Sequence, residues 1–192
     1  MDNSINILVA SGGIKFYNSL LTLMPQTTGI KAHFANSSSD AKRILLTHSI
    51  QAVIVNTPLS DGFGLDFAIN CAVDKDYPLL MLISKDFYEQ VNLKTVNTGI
   101  LTLQKPTSAE TLSQSLNLLT ATAKKLRSFR TTDGEENASI TQLKVISRAK
   151  LILIGSFSMT EEQAHKYIER RAMESRKSKL SIAEAIINSY GV

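Results

Sequence analysis

Cysteine is almost missing from this chain, with Cys71 the single thiol among 192 residues. One cysteine excludes an internal disulfide and fits a reducing compartment, so a cytoplasmic location is expected. Long apolar runs are missing too. None approaches the roughly 18 residues that a membrane helix needs, and Met1-Asp2-Asn3 lacks the basic start of a signal peptide, so no membrane association is expected. His33, His48 and His165 are scattered and no metal-ligand spacing exists, which favours structural roles for them and for Cys71. Gly12-Gly13 stand without GxGxxG or GKS and read as a turn, not a phosphate cradle. No Ser-His-Asp or paired-carboxylate constellation can be assembled, so neither an enzymatic activity nor a cofactor is expected.

The chain has ample apolar material, 43% of its residues, for one domain of ordinary size plus a small appendage. Short apolar or β-branched runs occur at Ile5 to Ala10, Lys31 to Ala35, Ala52 to Val55, Leu79 to Ser84 and Ile100 to Leu103. Between them lie stretches with helical spacing, such as Phe16, Leu20, Leu23 and Ala41, Leu45. The third and fourth runs are almost wholly apolar, as strands buried on both faces are. The pattern predicts an α/β fold, a flavodoxin-like doubly wound parallel sheet of five strands, whose chemistry sits at the strands' carboxyl ends. Charge divides unevenly along the chain. Residues 1–139 hold 12 basic and 12 acidic side chains, residues 140–192 hold nine against five, and the whole excess of +4 is in the tail.

The motifs ILVAS at residues 7–11 and VIVNTPLSDGFGLDF at 53–67, with Ser84 and Lys105-Pro106, resemble a response-regulator receiver. A working receiver needs a phosphoacceptor aspartate after the third strand and an acidic pair after the first to hold Mg²⁺. Here the acceptor position is Asn56 and the pair is Ser11 and Gly12. Ser84 and Lys105 match the family's hydroxyl and lysine, while the aromatic switch position is Thr102. The resemblance therefore implies a pseudo-receiver that is not phosphorylated, with a cis Lys105-Pro106 bond. Asp61 is a weaker acceptor candidate, because DGFG reads as a loop before a helix.

Thr107 and Glu110 form a capping-box pattern that opens a helix over residues 107–127. Leu112, Leu116, Leu119, Ala123 and Leu126 make an a/d seam along it, which either covers the sheet or joins two copies; a homodimer through this helix is expected. RTTDGEENAS breaks the pattern at Asp133-Gly134, and Ser139 with Gln142 restarts a helix bearing Ile140, Leu143 and Ile146. The expected division is a receiver-like domain at 1–123, a linker at 124–139 and a three-helix domain at 140–192.

In the segment from Ser147 to Asn188, Thr160 with Gln163 and Ser181 with Glu184 mark two helix starts and delimit three short helices. Ala164, Tyr167, Ile168 and Ala172, then Ile182, Ala183, Ile186, Ile187 and Tyr190, give each of the last two a buried face, although Tyr167 suits either core or surface. Glu161 and Glu162 read as first-turn acids. Ala149, Ala164, Ala172 and Ala183 allow close backbone approach. Ala149-Lys150, the start Thr160-Glu161-Glu162 before Ala164, Tyr167, Arg170-Arg171-Ala172-Met173, and Lys179-Leu180 with Ala183 resemble, without a gap over 149–187, the ANTAR domains, three-helix RNA-binding antiterminators of bacteria. Leu151 and Ser158 depart from it, standing where glycine is common. The resemblance implies binding of tandem stem-loops in nascent leader RNA, through Lys150, Tyr167, Arg170, Arg171, Arg176, Lys177 and Lys179. It leaves the receiver-like part as a platform for a sensor or regulatory protein. Two alternatives stay open: a DNA-binding helix-turn-helix regulator, disfavoured by the lack of a tight turn in SRKSKLSIAE, and a module that binds only protein partners.

Overall fold

The computed structural model describes residues 4–24, 29–73, 77–129 and 136–190. Five strands, β1 (Ile5–Ser11), β2 (Ile30–Ala35), β3 (Ala52–Asn56), β4 (Leu79–Ser84) and β5 (Leu101–Lys105), alternate with α1 (Ile14–Leu23), α2 (Ser38–Thr47), α3 (Leu65–Val73) and α4 (Lys85–Thr95). The sheet is parallel throughout in the order β2-β1-β3-β4-β5. Each apolar run of the sequence is a strand, and the central ones are buried on both faces because period-two alternation feeds two cores. Leu8, Val53, Val55, Met81 and Ile83 pack under α2, α3 and α4, with Ala41, Phe67 and Val91. Ile7, Val9, Ile54, Leu80, Leu82 and Leu103 point to the other side, into a cluster with Leu20 of α1.

That second core does not end at the sheet. It continues through α5 (Ala109–Phe129) and α6 (Glu136–Phe157) into α7 (Glu161–Ser175) and α8 (Lys179–Tyr190), taking in Leu119, Leu153, Ile168 and Ile186. The seam residues Leu112, Leu116, Leu119, Ala123 and Leu126 are all buried within this one chain, where α5 covers β1, β3 and β4 and packs along α6. The seam is therefore covered within one chain, the first of the two uses that its spacing allowed. Its apolar area has a nearer partner than a second molecule.

Several helix ends shift from their sequence-based positions. The α5 cap is Ser108, not Thr107: its Oγ accepts from the Thr111 amide at 3.0 Å. The α8 cap is Ser178, whose Oγ accepts from the Ser181 amide at 3.1 Å, so Ser181 lies in the first turn. Only the Thr160 capping box is as expected, with Gln163 N to Thr160 Oγ1 at 3.2 Å and Thr160 N to Gln163 Oε1 at 2.8 Å. Helix α6 runs unbroken for 22 residues, so the first of the three short helices is the end of a long one. No proline interrupts it. The expected break at Asp133-Gly134 lies outside the described residues.

Helix α6 is fastened to the sheet's β5 edge by polar contacts. Arg148 is fully buried and donates to the main-chain carbonyls of Thr95, Ile100 (2.9 Å) and Asn92 (3.3 Å), and to Asn92 Oδ1 at 2.6 Å. Asn92 Oδ1 also accepts from Thr102 Oγ1 at 2.9 Å. Burial pushes the guanidinium down to about 10, so Arg148 stays charged at neutral pH. One turn earlier, Lys144 Nζ reaches the Ala72 carbonyl at 2.8 Å, at the C-terminal end of α3 where a cation suits the helix dipole. Gly99 makes room for it: its φ is +72°, and a Cβ there would stand 2.8 Å from Lys144 Cβ. Ser147 Oγ meets Thr122 Oγ1 of α5 at 3.0 Å.

Candidate nucleic-acid interface

The last three helices pack through small side chains, as their sequence required. Ala149, Ala164 and Ala183 are fully buried and Ala172 nearly so, with Ile168, Ile186 and Ile187 between them. Ser158 turns the chain from α6 to α7 with φ of +52°, a left-handed value that glycine adopts without steric cost. Leu151 is buried in the core. Between α7 and α8, Arg176 is also left-handed, and the amides of Arg176 and Lys177 return to the carbonyls of Met173 and Ala172. The turn that the sequence did not reveal is thus a tight one, closed by a C-terminal cap.

The seven basic and aromatic candidates do not form one patch. Lys150 is only 13% exposed and is tied to Glu161 at 2.6 Å. Lys179 donates to Glu169, which His165 also approaches at 3.3 Å. Those contacts hold the Glu169 carboxyl below its usual range, Lys179 first. Glu161 and Glu162 are therefore more than dipole complements, since Glu162 also pairs with Lys166 at 2.6 Å. Tyr167, Arg170 and Arg171 gather on another side of α7. The Arg171 guanidinium lies 5.8 Å from the Tyr167 ring centroid, and contact with Tyr167 raises its pKa further. Arg176 and Lys177 sit exposed at the turn with no ion pair among the described residues.

Half-buried Tyr167 borders two shallow clefts. One runs beside the α6–α7 turn and is lined by Phe157, Met159, Arg170 and Met173; the other lies between α7 and α8 and is lined by Arg171, Ile182, Ile186 and Tyr190. Tyr190, expected on the buried face of its helix, is 52% exposed, and its ring stands edge-on to Phe157 with centroids 5.0 Å apart. Met173 is 74% exposed. Phe157, Met173 and Tyr190 thus extend the candidate surface beyond the sequence reading. The signal for Tyr190 was its place at the helix end, where the stripe continues past the helices that cover Ile186 and Ile187.

At the carboxyl ends of the strands, the register sets Ser11 beside Asn56 and Ser84 beside Lys105. Asn56 Nδ2 donates to Ser11 Oγ at 3.0 Å, while Lys105 Nζ donates to Asn56 Oδ1 at 3.0 Å and to the Thr57 carbonyl. Burial lowers the Lys105 pKa. Ser84 caps α4 by position without a side-chain bond, and Gly12 is held by its amide to the Pro58 carbonyl at 3.2 Å. A Cβ on Gly12 would meet that oxygen at 2.8 Å. The bonds after Thr57 and Lys105 are both cis. Asp61 is spent elsewhere, accepting from the Ser38 and Ser39 amides at the start of α2 at 2.8 and 3.1 Å, and those bonds, Ser38 first, hold its carboxyl low. Among the described residues no cluster of three or more His, Cys, Asp or Glu could hold a metal ion. No described helix is long and apolar enough to cross a membrane.

Residues 137–187 match the model of the ANTAR domain. This chain carries an ANTAR domain. Ahead of it, the sheet resembles solved receivers: a signal receiver domain of an HD domain-containing protein from Pseudomonas fluorescens is 18% identical with a TM-score of 0.56, covering 67% of this chain and 95% of that one. The chemotaxis response regulator CheY4 of Vibrio cholerae, also 18% identical, gives a TM-score of 0.51 over 60% of this chain and 98% of its own. Over most of its length the chain is similar to the transcriptional regulatory protein PdtaR of Mycobacterium tuberculosis, 23% identical over 157 residues, 82% of this chain and 77% of that one. The combination is an ANTAR domain behind a receiver-type fold. Within the ANTAR domain, Tyr167, Arg170 and Arg171 are brought together, Lys150 and Lys179 are set apart on the Glu161 and Glu169 side, and Arg176 and Lys177 mark the end of α7.

Proposed function

We propose that this protein is a transcription antiterminator that binds stem-loops of nascent leader RNA through α7 and α8, and that its receiver-type region is not phosphorylated. The observation that supports RNA binding best is the grouping of half-buried Tyr167 with exposed Arg170 and Arg171, Phe157 and Tyr190 nearby. Guanidinium groups meet phosphates and lend affinity that falls with salt. Aromatic and guanidinium planes stack on unpaired loop bases, the part of RNA in which sequence can be read. Lys150 and Lys179 add positive field from behind their carboxylate partners, and Arg176 with Lys177 offer free cations at the turn. Tandem stem-loops call for two ANTAR domains. A homodimer would supply both domains at once, with the buried α5 seam leaving the other faces of the chain for its contact.

The helix-turn-helix alternative gains a tight turn but loses its reading helix. After Lys179, α8 carries no further basic side chain, which leaves little to enter a major groove. Asn56 has no carboxylate to form an acyl phosphate, and Ser11 and Gly12 offer no acidic pair for Mg²⁺, so the receiver-type region serves as a platform. A sensor or regulatory protein is the partner expected to dock on it.

A gel-shift titration against a two-stem-loop leader RNA, a loop-scrambled control and duplex DNA, at two salt concentrations, tests the first claim. Preference for the intact RNA that is lost in the Arg170→Glu, Arg171→Glu variant is expected; equal binding to duplex DNA overturns it. Intact-mass analysis after acetyl phosphate and Mg²⁺ tests the second. No mass gain is expected, and stoichiometric addition of one phosphoryl group refutes it.

A further inference from the structure

The cleft between α7 and α8, of about 410 Å³, has an unusual lining for an open surface groove. Its floor is apolar, with Ile182 and Ile186, while Tyr167 and Tyr190 both line it. Each ring is steadied by a neighbour: Arg171 lies over Tyr167, and Phe157 stands edge-on to Tyr190 at an interplanar angle of 88°. Rings fixed in this way lose little freedom when something stacks on them. At the rim is Glu174, whose carboxylate is more than half exposed and lies 3.7 and 3.8 Å from Arg170 and Arg171, too far for a direct hydrogen bond. Its oxygens are therefore open to a donor.

An apolar peptide does not suit a slot rimmed by Arg171 and Glu174, and a phosphate is repelled by the carboxylate. A flat, amphipathic ring with donors on its edge fits both halves of the lining. Resting on the RNA-binding reading above, we infer that this cleft takes one unpaired loop base, stacked against Tyr167 and Tyr190, with Glu174 accepting from its amino edge. A carboxylate only accepts, so it selects the exocyclic amino groups of adenine, cytosine or guanine and disfavours uracil, whose one donor on that edge, N3–H, is flanked by two carbonyl oxygens that repel the carboxylate. The arginines beside it serve the flanking phosphates. The cleft is thus where sequence is read, and the surrounding cations set affinity.

The test uses the full chain and the two-stem-loop RNA, with each loop position replaced in turn by uracil. Wild-type protein is expected to lose about tenfold in affinity at one loop position when uracil enters. Tyr190→Ala is expected to weaken binding to the intact RNA by about tenfold, and Tyr190→Phe to retain it, because stacking needs the ring and not the hydroxyl. Glu174→Gln decides the matter independently of any folding defect, since its side chain is exposed. If Glu174 reads a base, the variant loses the discrimination against uracil at that position. If it is merely a surface anion, removing its charge tightens every RNA alike and leaves the discrimination unchanged, which overturns this inference while RNA binding stands. Failure of the wild-type protein to prefer the intact RNA overturns both.

Discussion

Lys105 and Arg148 are both cations drawn away from water without a carboxylate partner among the described residues, yet they do opposite things. At the strand ends, Lys105 rests on Asn56 Oδ1 and the Thr57 carbonyl, half-buried, in a pocket where Ser11 and Asn56 stand together. At the β5 edge, Arg148 is sealed from solvent and spends its donors on three main-chain carbonyls and one amide oxygen. The first is a local contact whose loss disturbs one pocket. The second joins the sheet to the helix that leads into the ANTAR domain. A buried charge costs several kcal/mol in desolvation, offset only where dipoles surround it. The contrast shows that what a lone buried cation does is set by how many elements supply those dipoles.

The strongest way to break this comparison is Arg148→Ala. It leaves the carbonyls of Thr95 and Ile100 and Asn92 Oδ1 short of donors and opens a cavity, so a loss of about 3 kcal/mol or more in urea unfolding is expected. Arg148→Lys keeps the charge but not the fork, and falls between. Lys105→Met is expected to change stability by no more than about 1 kcal/mol, because its site is partly open to water. Equal losses at 105 and 148 end the distinction. Ser158→Gly relieves a left-handed turn and should gain about 0.5 kcal/mol by the same measurement.

Asp61 is the mirror image, an exposed anion held by main-chain amides. Its folded pKa is depressed, so its contribution is present above the unfolded value and is lost as pH falls through the folded one. Asp61→Asn is expected to lower stability modestly at neutral pH and to flatten the acid limb of the profile, changing little below the folded pKa, where the carboxylate's contribution is already gone. The smallest expected effect is none at all: Asn56→Asp restores an acceptor carboxylate, but without acidic groups at Ser11 and Gly12 intact mass should still show no phosphoryl gain. Gly12 itself resists an acidic replacement, given the 2.8 Å approach of Pro58 O to an added Cβ.

The sheet was legible because apolar runs and strand register are local matters, and so were Asn56, Ser11, Ser84 and Lys105, which belong to strand ends or follow them directly. Helix caps were legible where the side chain three residues on could close the box, as Gln163 does for Thr160. Thr160 was placed correctly, whereas Thr107 beside Ser108 and Ser181 after Ser178 offered competing caps whose choice depends on the incoming chain. The seam on α5 could be seen as an apolar face, but not what covers it. Arg148 was invisible as a junction. In sequence it is one basic residue among nine in the tail, and its acceptors are carbonyls, which every residue has. The same limit hid the split of the candidate RNA face, because pairing of Lys150 with Glu161 and Lys179 with Glu169 depends on how α6, α7 and α8 cross.

The choice of acceptors at Arg148 has a consequence for sequence drift. Thr95 and Ile100 contribute through their backbone oxygens, so the side chains at these positions can change without deleting those bonds. Asn92 Oδ1 at 2.6 Å and, more distantly, Thr95 Oγ1 at 3.5 Å also meet Arg148 through their side chains, whereas Arg148 itself has no stand-in among the described residues. The joint is therefore lopsided in its hydrogen bonds: a change of side chain at buried Ile100 spares the bond that its carbonyl makes, whereas a change at Arg148 removes every one of them. A helix that grips main-chain oxygens thus keeps its hold when Ile100 is exchanged for another apolar residue of similar size.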